Sequence, residues 1–103
     1  MKNPKPKVLV SEEAESDIDD AFIWYELQKK KLGDSFIRSL NSAFRQIKRN
    51  PYLYPLVYVD VRKHLINKFP YCVYYYFDES DNTLKIISVL HNSRNPNIWK
   101  HRV

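Results

Sequence analysis

His91, Arg94, Lys100, His101 and Arg102 crowd the end of this 103-residue chain, and after Asp81 no acidic residue opposes them. Histidine titrates near neutral pH and can move a proton, whereas Arg and Lys hold fixed positive charge. A cluster of these types behind an apolar strand suits an anion. Upstream, Arg62, Lys63, His64 and Lys68 form a second basic group. The three histidines have no close His or Cys partner at ligand spacing, so no metal site and no cofactor are expected.

Two segments must present the terminal cluster: an aromatic strand, Tyr71 to Phe77, and a second strand, Leu84 to His91, joined by the polar turn Asp78 to Asn82. A further strand is expected from Val61 to Phe69, with Pro70 at its junction with the aromatic one. Near the start, Lys7 to Val10 reads as a short strand running into a helix capped by Ser11, with Glu12 and Glu13 against the positive end of its dipole. Ala14, Ile18, Ala21, Phe22, Tyr25 and Leu32 follow one apolar face of that helix. Gly33 is read as its end and Asp34 as a cap for the next.

In the second helix Phe36, Ile37, Leu40, Ala43, Phe44 and Ile47 share a side, and Pro51 stops it near Asn50. The loop Pro51 to Pro55 is expected to pack its aromatics back on the helices. The order is thus β-α-α-β-β-β, an α+β fold in which a helical hairpin covers one face of a small, twisted, mainly antiparallel sheet and leaves the other partly open. One domain spans residues 1–103, with 1–6 and 100–103 read as flexible ends.

Composition narrows the function further. Gly33 is the only glycine, which excludes the glycine-rich loops of P-loop and Rossmann nucleotide sites. The single cysteine, Cys72, rules out an intrachain disulfide and reads as a small buried hydrophobe in a reducing compartment. The basic start, Met1 to Lys7, precedes no apolar run long enough for a signal peptide or a membrane span, so a cytoplasmic protein without membrane contact is expected. The net charge of +5 is unevenly placed. Glu12, Glu13, Glu15, Asp17, Asp19, Asp20 and Glu26 dominate the first helix, whereas Lys29, Lys30, Lys31, Arg38, Arg45, Lys48 and Arg49 follow with only Asp34 against them.

The order of elements resembles the RelE/ParE superfamily of small toxins from type II toxin–antitoxin systems over essentially the whole chain. The matching residues are Ser11-Glu12-Glu13-Ala14, Asn50-Pro51, Arg62-Lys63-His64-Leu65, Phe69-Pro70-Tyr71, and Val89-Leu90-His91-Asn92-Ser93-Arg94 with Pro96 and Trp99. The resemblance implies a growth-inhibiting toxin neutralised by a cognate antitoxin, whose segment folds on binding.

Two mechanisms divide that superfamily. The RelE-like one, a ribosome-dependent mRNA endoribonuclease, implies a base for the ribose 2′-OH, cations for the phosphate and an acid for the leaving oxygen. His64 or His91 would move the proton, with Arg62, Lys68 and Arg94 on the phosphate. Against it, Tyr71 to Phe77 carries no Arg or Lys, where RelE-like nucleases usually place a basic residue. The ParE-like mechanism acts on DNA gyrase and implies a binding surface without catalysis. Phe69-Pro70-Tyr71 and the Val-Leu-His…Arg ending are closer to that branch, which is the preferred reading. Plasmid stabilisation would be its biological setting.

The target- or antitoxin-binding residues are then expected among Arg62, Lys63, His64, Lys68, His91, Arg94, Trp99 and Arg102. A third reading is an inactivated toxin or a nucleic-acid-binding module, which the basic surface fits equally well. A homodimer or a toxin–antitoxin heterotetramer is compatible with the pattern. Tyr74, Tyr75 and Tyr76 are read mainly as core, Trp24 as an anchor of the helical hairpin and Trp99 as a pin for the tail.

Overall fold

The computed structural model describes residues 5–94 and 97–102. Pro96, part of the closing motif, and the extreme ends of the chain lie outside them. β1 (Lys7–Val10) leads into α1 (Glu12–Gln28) and α2 (Leu32–Arg49), followed by β2 (Leu56–Tyr58), β3 (Val61–Leu65), β4 (Tyr71–Asp78), β5 (Thr83–His91) and a short α3 (Asn97–Lys100). The five strands form one sheet in the order β1-β5-β4-β3-β2. Only β1 runs parallel to its neighbour, β5. The α+β class with a helical hairpin on a mainly antiparallel sheet therefore holds, with one strand and one helical turn more than the sequence announces.

Local chemistry explains the helices. The Ser11 hydroxyl accepts a hydrogen bond from the Ala14 N–H at 3.1 Å and opens α1, whose first turn carries Glu12, Glu13 and Glu15. Ala14 and Ala21 are the buried residues of α1, and their small side chains let the helix lie close to the sheet. α2 buries Phe36, Leu40, Ala43 and Ile47, a stripe at helical spacing. Burial of each large member contributes about 1.5–3 kcal/mol. Tyr25, Phe36, Phe69 and Tyr71 interlock with ring centroids between 4.9 and 5.8 Å, fastening the hairpin to the β3–β4 turn.

The interhelical link differs from its sequence reading. α1 ends at Gln28, Leu32 belongs to α2, and the left-handed residue is Lys31 (φ 72), not Gly33. Gly33 lies inside the first turn of α2 at a close approach. A Cβ there would sit 2.7 Å from the Phe22 ring and from Glu26 Cγ. The Gly33 N–H donates to Glu26 Oε1 at 2.9 Å, so α1 supplies the cap expected of Asp34. Gly33→Ala should gain about 1 kcal/mol of helix propensity yet lose about 1–3 kcal/mol to overpacking. The expected net effect in urea unfolding is a destabilisation that shrinks or reverses in a Phe22→Ala background.

Two other elements depart from expectation. β2 lies just after the expected Pro51–Pro55 loop, where the sequence announces no element; it pairs antiparallel with β3 across a turn that places Val59 at φ 51. β3 stops at Leu65 rather than Phe69, because Lys68 takes a left-handed conformation (φ 72) and turns the chain into β4. Phe69 then folds back into the core.

β4 and β5 pair along their full length with one irregularity: Tyr74 faces Ser88 and Tyr75 faces Ile86, leaving Ile87 as an extra residue. At their turn, Asp78 accepts from the Ser80 hydroxyl at 2.6 Å and from Lys85 Nζ at 3.0 Å. These bonds hold its carboxyl down to about 2.

Buried residues lie on both faces of the sheet. Val73, Tyr75, Leu84, Ile86 and Val89 meet the helices, whereas Val61, Cys72, Tyr74, Ile87 and Leu90 meet Trp99 on the other face. Among the described residues nearest the termini, Pro6 is buried and Arg102 is ion-paired. Trp24 is 57% exposed and anchors nothing, which corrects its assignment to the hairpin packing. No helix among the described residues is long and apolar enough to cross a membrane.

Candidate functional site

Strand alternation sorts the basic residues before any distance is considered. Arg62, His64 and His91 pair with Tyr75, Val73 and Tyr71, so they share the helix side of the sheet. Lys63 pairs with Tyr74 and points to the opposite side, which is free of the α1–α2 hairpin and in that sense helix-free, although the short α3 docks on it. The residues expected to act together thus occupy two faces.

On the helix side the cations are engaged in holding the fold. Arg62 Nη1 donates to the carbonyls of Tyr52 (3.0 Å) and Tyr54 (2.7 Å) and clasps the Pro51–Pro55 loop. Tyr54 packs against the His64 ring at 3.9 Å, and Tyr52 against Phe77, so the loop aromatics meet the sheet side chains. His64 Nε2 lies 2.7 Å from Gln46 Oε1 of α2. Burial pushes the His64 pKa down.

That shift fixes the sign of a pH effect. Unfolded His64 binds a proton below about 6.5, whereas folded His64 stays neutral to lower pH, so protonation favours unfolding. Stability is fully present above that range and falls as pH drops through it. A His64→Asn variant should lose less stability than the wild type between about pH 7 and 5, measured by urea midpoints at each pH.

His91 Nδ1 accepts from the Ser93 N–H (3.1 Å) and lies 2.7 Å from its hydroxyl. Its ring packs edge-on against Tyr71. His64 lines a wide concavity of about 720 Å³ with Gln46, Lys68 and Asn92. His91 and Arg94 line a separate one of about 240 Å³ with Asp17, Asp20, Trp24 and Tyr71. Strand β4 stands between the two histidines, and the three candidate catalytic residues are not gathered in either concavity.

Arg102, expected at the binding surface, is turned inward. Its Nη1 reaches Asp17 Oδ2 at 2.6 Å, Ser88 Oγ at 2.8 Å and the Ile87 carbonyl at 3.2 Å. Asp17 Oδ2 also accepts from the Val89 N–H at 3.1 Å. Trp99 is 1% exposed, stacked on Tyr74 and edge-on to Tyr58, and it pins the tail as the sequence suggested. Trp99 and Arg102 therefore shape the surface from below.

The helix-free face offers the more coherent site. Lys63 of β3, Tyr74 of β4, Val57 of β2, and Trp99 and Lys100 of α3 enclose about 270 Å³. Burial raises the Tyr74 phenol, so it remains protonated at neutral pH and can donate. Lys100 Nζ sits 5.0 Å from the Tyr58 ring. The buried Trp99 Nε1–H meets no acceptor at full hydrogen-bond geometry among the described residues, but it lies near the Tyr74 phenol and offsets part of the rise that burial causes there. Two ammonium groups and a phenol, with no carboxylate or histidine among the described lining residues, can hold an anion but supply no neutral base. The sequence reading missed Tyr74 here and placed Lys100 in the basic tail without assigning it to a site; strand alternation puts Tyr74 on the Lys63 face, but the α3 turn that delivers Lys100 leaves no periodic signal.

Comparison with known proteins agrees with this architecture. Residues 8–96 match the family model described as the ParE toxin of the type II toxin–antitoxin system, parDE. Among solved structures, a chain of the chromosomal ParDE system from P. aeruginosa is similar at a TM-score of 0.73 and 10% identity, covering 84% of this chain and 96% of that one. A chain of the RelBE2 toxin–antitoxin complex from Mycobacterium tuberculosis gives 0.59 and 17%, covering 85% and 99%. The isolated E. coli RelE toxin gives 0.64 and 15%, covering 93% and 94%. At these identities the likeness establishes the fold. No curated protein matches the sequence. Because the family model spans most of the chain, from β1 to beyond β5, the chain belongs to the ParE toxin family of type II toxin–antitoxin systems.

Proposed function

We propose that this toxin follows the ParE-like mechanism: it arrests growth by binding DNA gyrase and is neutralised by a cognate antitoxin. The observation that carries this reading is the make-up of the helix-free site. Its described lining holds Lys63, Lys100 and a protonated Tyr74, with no carboxylate or histidine to take a proton from a ribose hydroxyl. The absence of Arg and Lys from β4 supports the same view. His64 and His91, engaged by Gln46 and Ser93 in separate concavities, lack the convergence that general acid–base cleavage requires.

Binding is then assigned to cations that form no internal ion pair among the described residues: Lys63 and Lys100 at the helix-free site, Arg94 beside His91, and Lys68 at the β3–β4 turn. Arg62 acts by holding its loop.

The test combines purified protein, gyrase and supercoiled plasmid with expression in cells. Loss of supercoiling activity, accumulation of cleaved DNA and filamentation with intact messages are the expected results. Lys63→Ala and Arg94→Ala should each weaken that inhibition while leaving the folded state intact by circular dichroism. Codon-phased message ends with unaffected gyrase would overturn the proposal in favour of a RelE-like nuclease, and no growth effect at soluble expression would leave an inactive binding module.

A further inference from the structure

The outer face of α2 has no role in the site above, yet it carries a continuous basic stripe. Ser35, Arg38, Ser42, Arg45 and Arg49 follow one another at intervals of three and four residues, opposite the buried Phe36, Leu40, Ala43 and Ile47. Two concavities border the stripe. Lys5, Arg45, Lys48 and Arg49 enclose about 200 Å³ at one end. Arg38 and Lys68, with Ser35, Ser39, Ser42 and Asn67, enclose about 240 Å³ at the other. Neither has a carboxylate among its described lining residues.

Helix stability alone does not account for the stripe. Lys48 and Arg49 complement the negative end of the α2 dipole, but Arg38 lies three turns upstream, beyond that effect. Arg45 and Arg49 are like charges four residues apart, an arrangement that disfavours an isolated helix. Asp34, the only carboxylate on α2, forms no ion pair with Arg38 among the described residues. Arg38, Arg45 and Arg49 stand open to solvent and repel one another.

From Arg38 to Arg49 the helix rises about 16 Å, over which one strand of duplex DNA presents about five phosphates. Arginine and lysine at this spacing, interleaved with serine hydroxyls and Asn67, match the donors that grip phosphate and sugar without reading bases. We infer that the outer face of α2, with Lys5 and Lys68, binds the phosphodiester backbone of nucleic acid independently of sequence. The inference does not depend on gyrase being the target, since it concerns a different ligand and, Lys68 apart, residues that the proposed toxin surface does not use.

Fluorescence anisotropy of the full chain with labelled duplex DNA and labelled single-stranded RNA, each about 20 nucleotides long, tests it. The wild type should bind with steep salt dependence. Arg45→Gln/Lys48→Gln/Arg49→Gln should weaken binding at least about tenfold and flatten the salt slope by about three, one for each phosphate left without its cation. Lys29→Gln/Lys30→Gln/Lys31→Gln removes equal charge at the end of α1 and should change the slope little. Tighter binding of the duplex or of the RNA identifies the physiological source, and either supports the assignment. Absence of binding by the wild type, equal losses in both triple variants, or displacement by polyglutamate at equal charge concentration would overturn it, the last in favour of an acidic protein partner.

Discussion

Asp17→Ala should destabilise the protein by about 3 kcal/mol, because removing one member of a largely buried ion pair leaves the other charge uncompensated. Asp17 and Arg102 retain 11% and 17% of their side-chain exposure. They meet through two contacts, 2.6 Å and 3.3 Å, and both close off the part of β5 that β1 does not cover. The β1 ladder reaches Ile86, where the Ser11 N–H donates to the carbonyl. Beyond it the Ile87 carbonyl and Val89 N–H have no strand partner on that edge and take Arg102 and Asp17 instead.

Asp17→Asn keeps an acceptor for Val89 and should cost less than Asp17→Ala. Arg102→Ala should approach the alanine variant in severity. Urea unfolding of the two single variants and the double variant would give a coupling free energy of at least about 1 kcal/mol. An Asp17→Ala change within about 0.5 kcal/mol of wild type, the range of ordinary surface substitutions, would contradict the role assigned to the pair.

The same pair shows what the sequence conceals. Eighty-five positions separate its members, and no local pattern links an aspartate among seven helix-α1 acids to an arginine in a basic tail. Arg102 looks like a surface cation in the sequence for the same reason that Lys100 does. Alternation cannot distinguish them, because the turn of α3 directs one inward to Asp17 and the other towards Tyr58.

Elements with a strong period are legible. The α2 stripe of Phe36, Leu40, Ala43 and Ile47 and the β4 and β5 strands stand where periodicity puts them, because their buried faces dominate their energetics. Connections are less legible because this chain places other residues where glycine is usual. Left-handed backbone occurs at Lys31, Val59, Lys68 and Asn82. Only Asn82 announces itself by type. Val59 is β-branched, so nothing marks the β2–β3 hairpin, and Lys68 hides the early end of β3. Gly33 misleads in the other direction: it serves a close helix–helix approach, which requires a missing Cβ rather than a positive φ. The helix-free site is half legible, since Lys63 and Trp99 stand out in the sequence while their common cavity depends on where α3 docks.

That docking can be tested through Trp99. Trp99→Ala is expected to cost about 3–5 kcal/mol, the usual range for deleting a buried tryptophan, because the indole is 1% exposed and fills the space between Tyr74 and Tyr58. Two physical outcomes separate a global from a local role. If α3 unfolds with the rest of the chain, the urea midpoint of the whole domain shifts and Trp99→Phe recovers much of the loss by restoring an aromatic contact with Tyr74. If α3 opens independently, the midpoint moves little, while amide exchange rises around residues 97–102 and at Val89, whose N–H depends on the Asp17 carboxylate that Arg102 positions. The cooperative outcome is expected, because Trp99 belongs to the same buried cluster as Cys72, Tyr74, Ile87 and Leu90, residues of the two strands β4 and β5 that pair along their full length. A Trp99→Ala protein with unchanged unfolding and unchanged exchange would show that the tail is not part of the folded core, and the cavity bounded by Lys63, Tyr74 and Lys100 would lose its third wall.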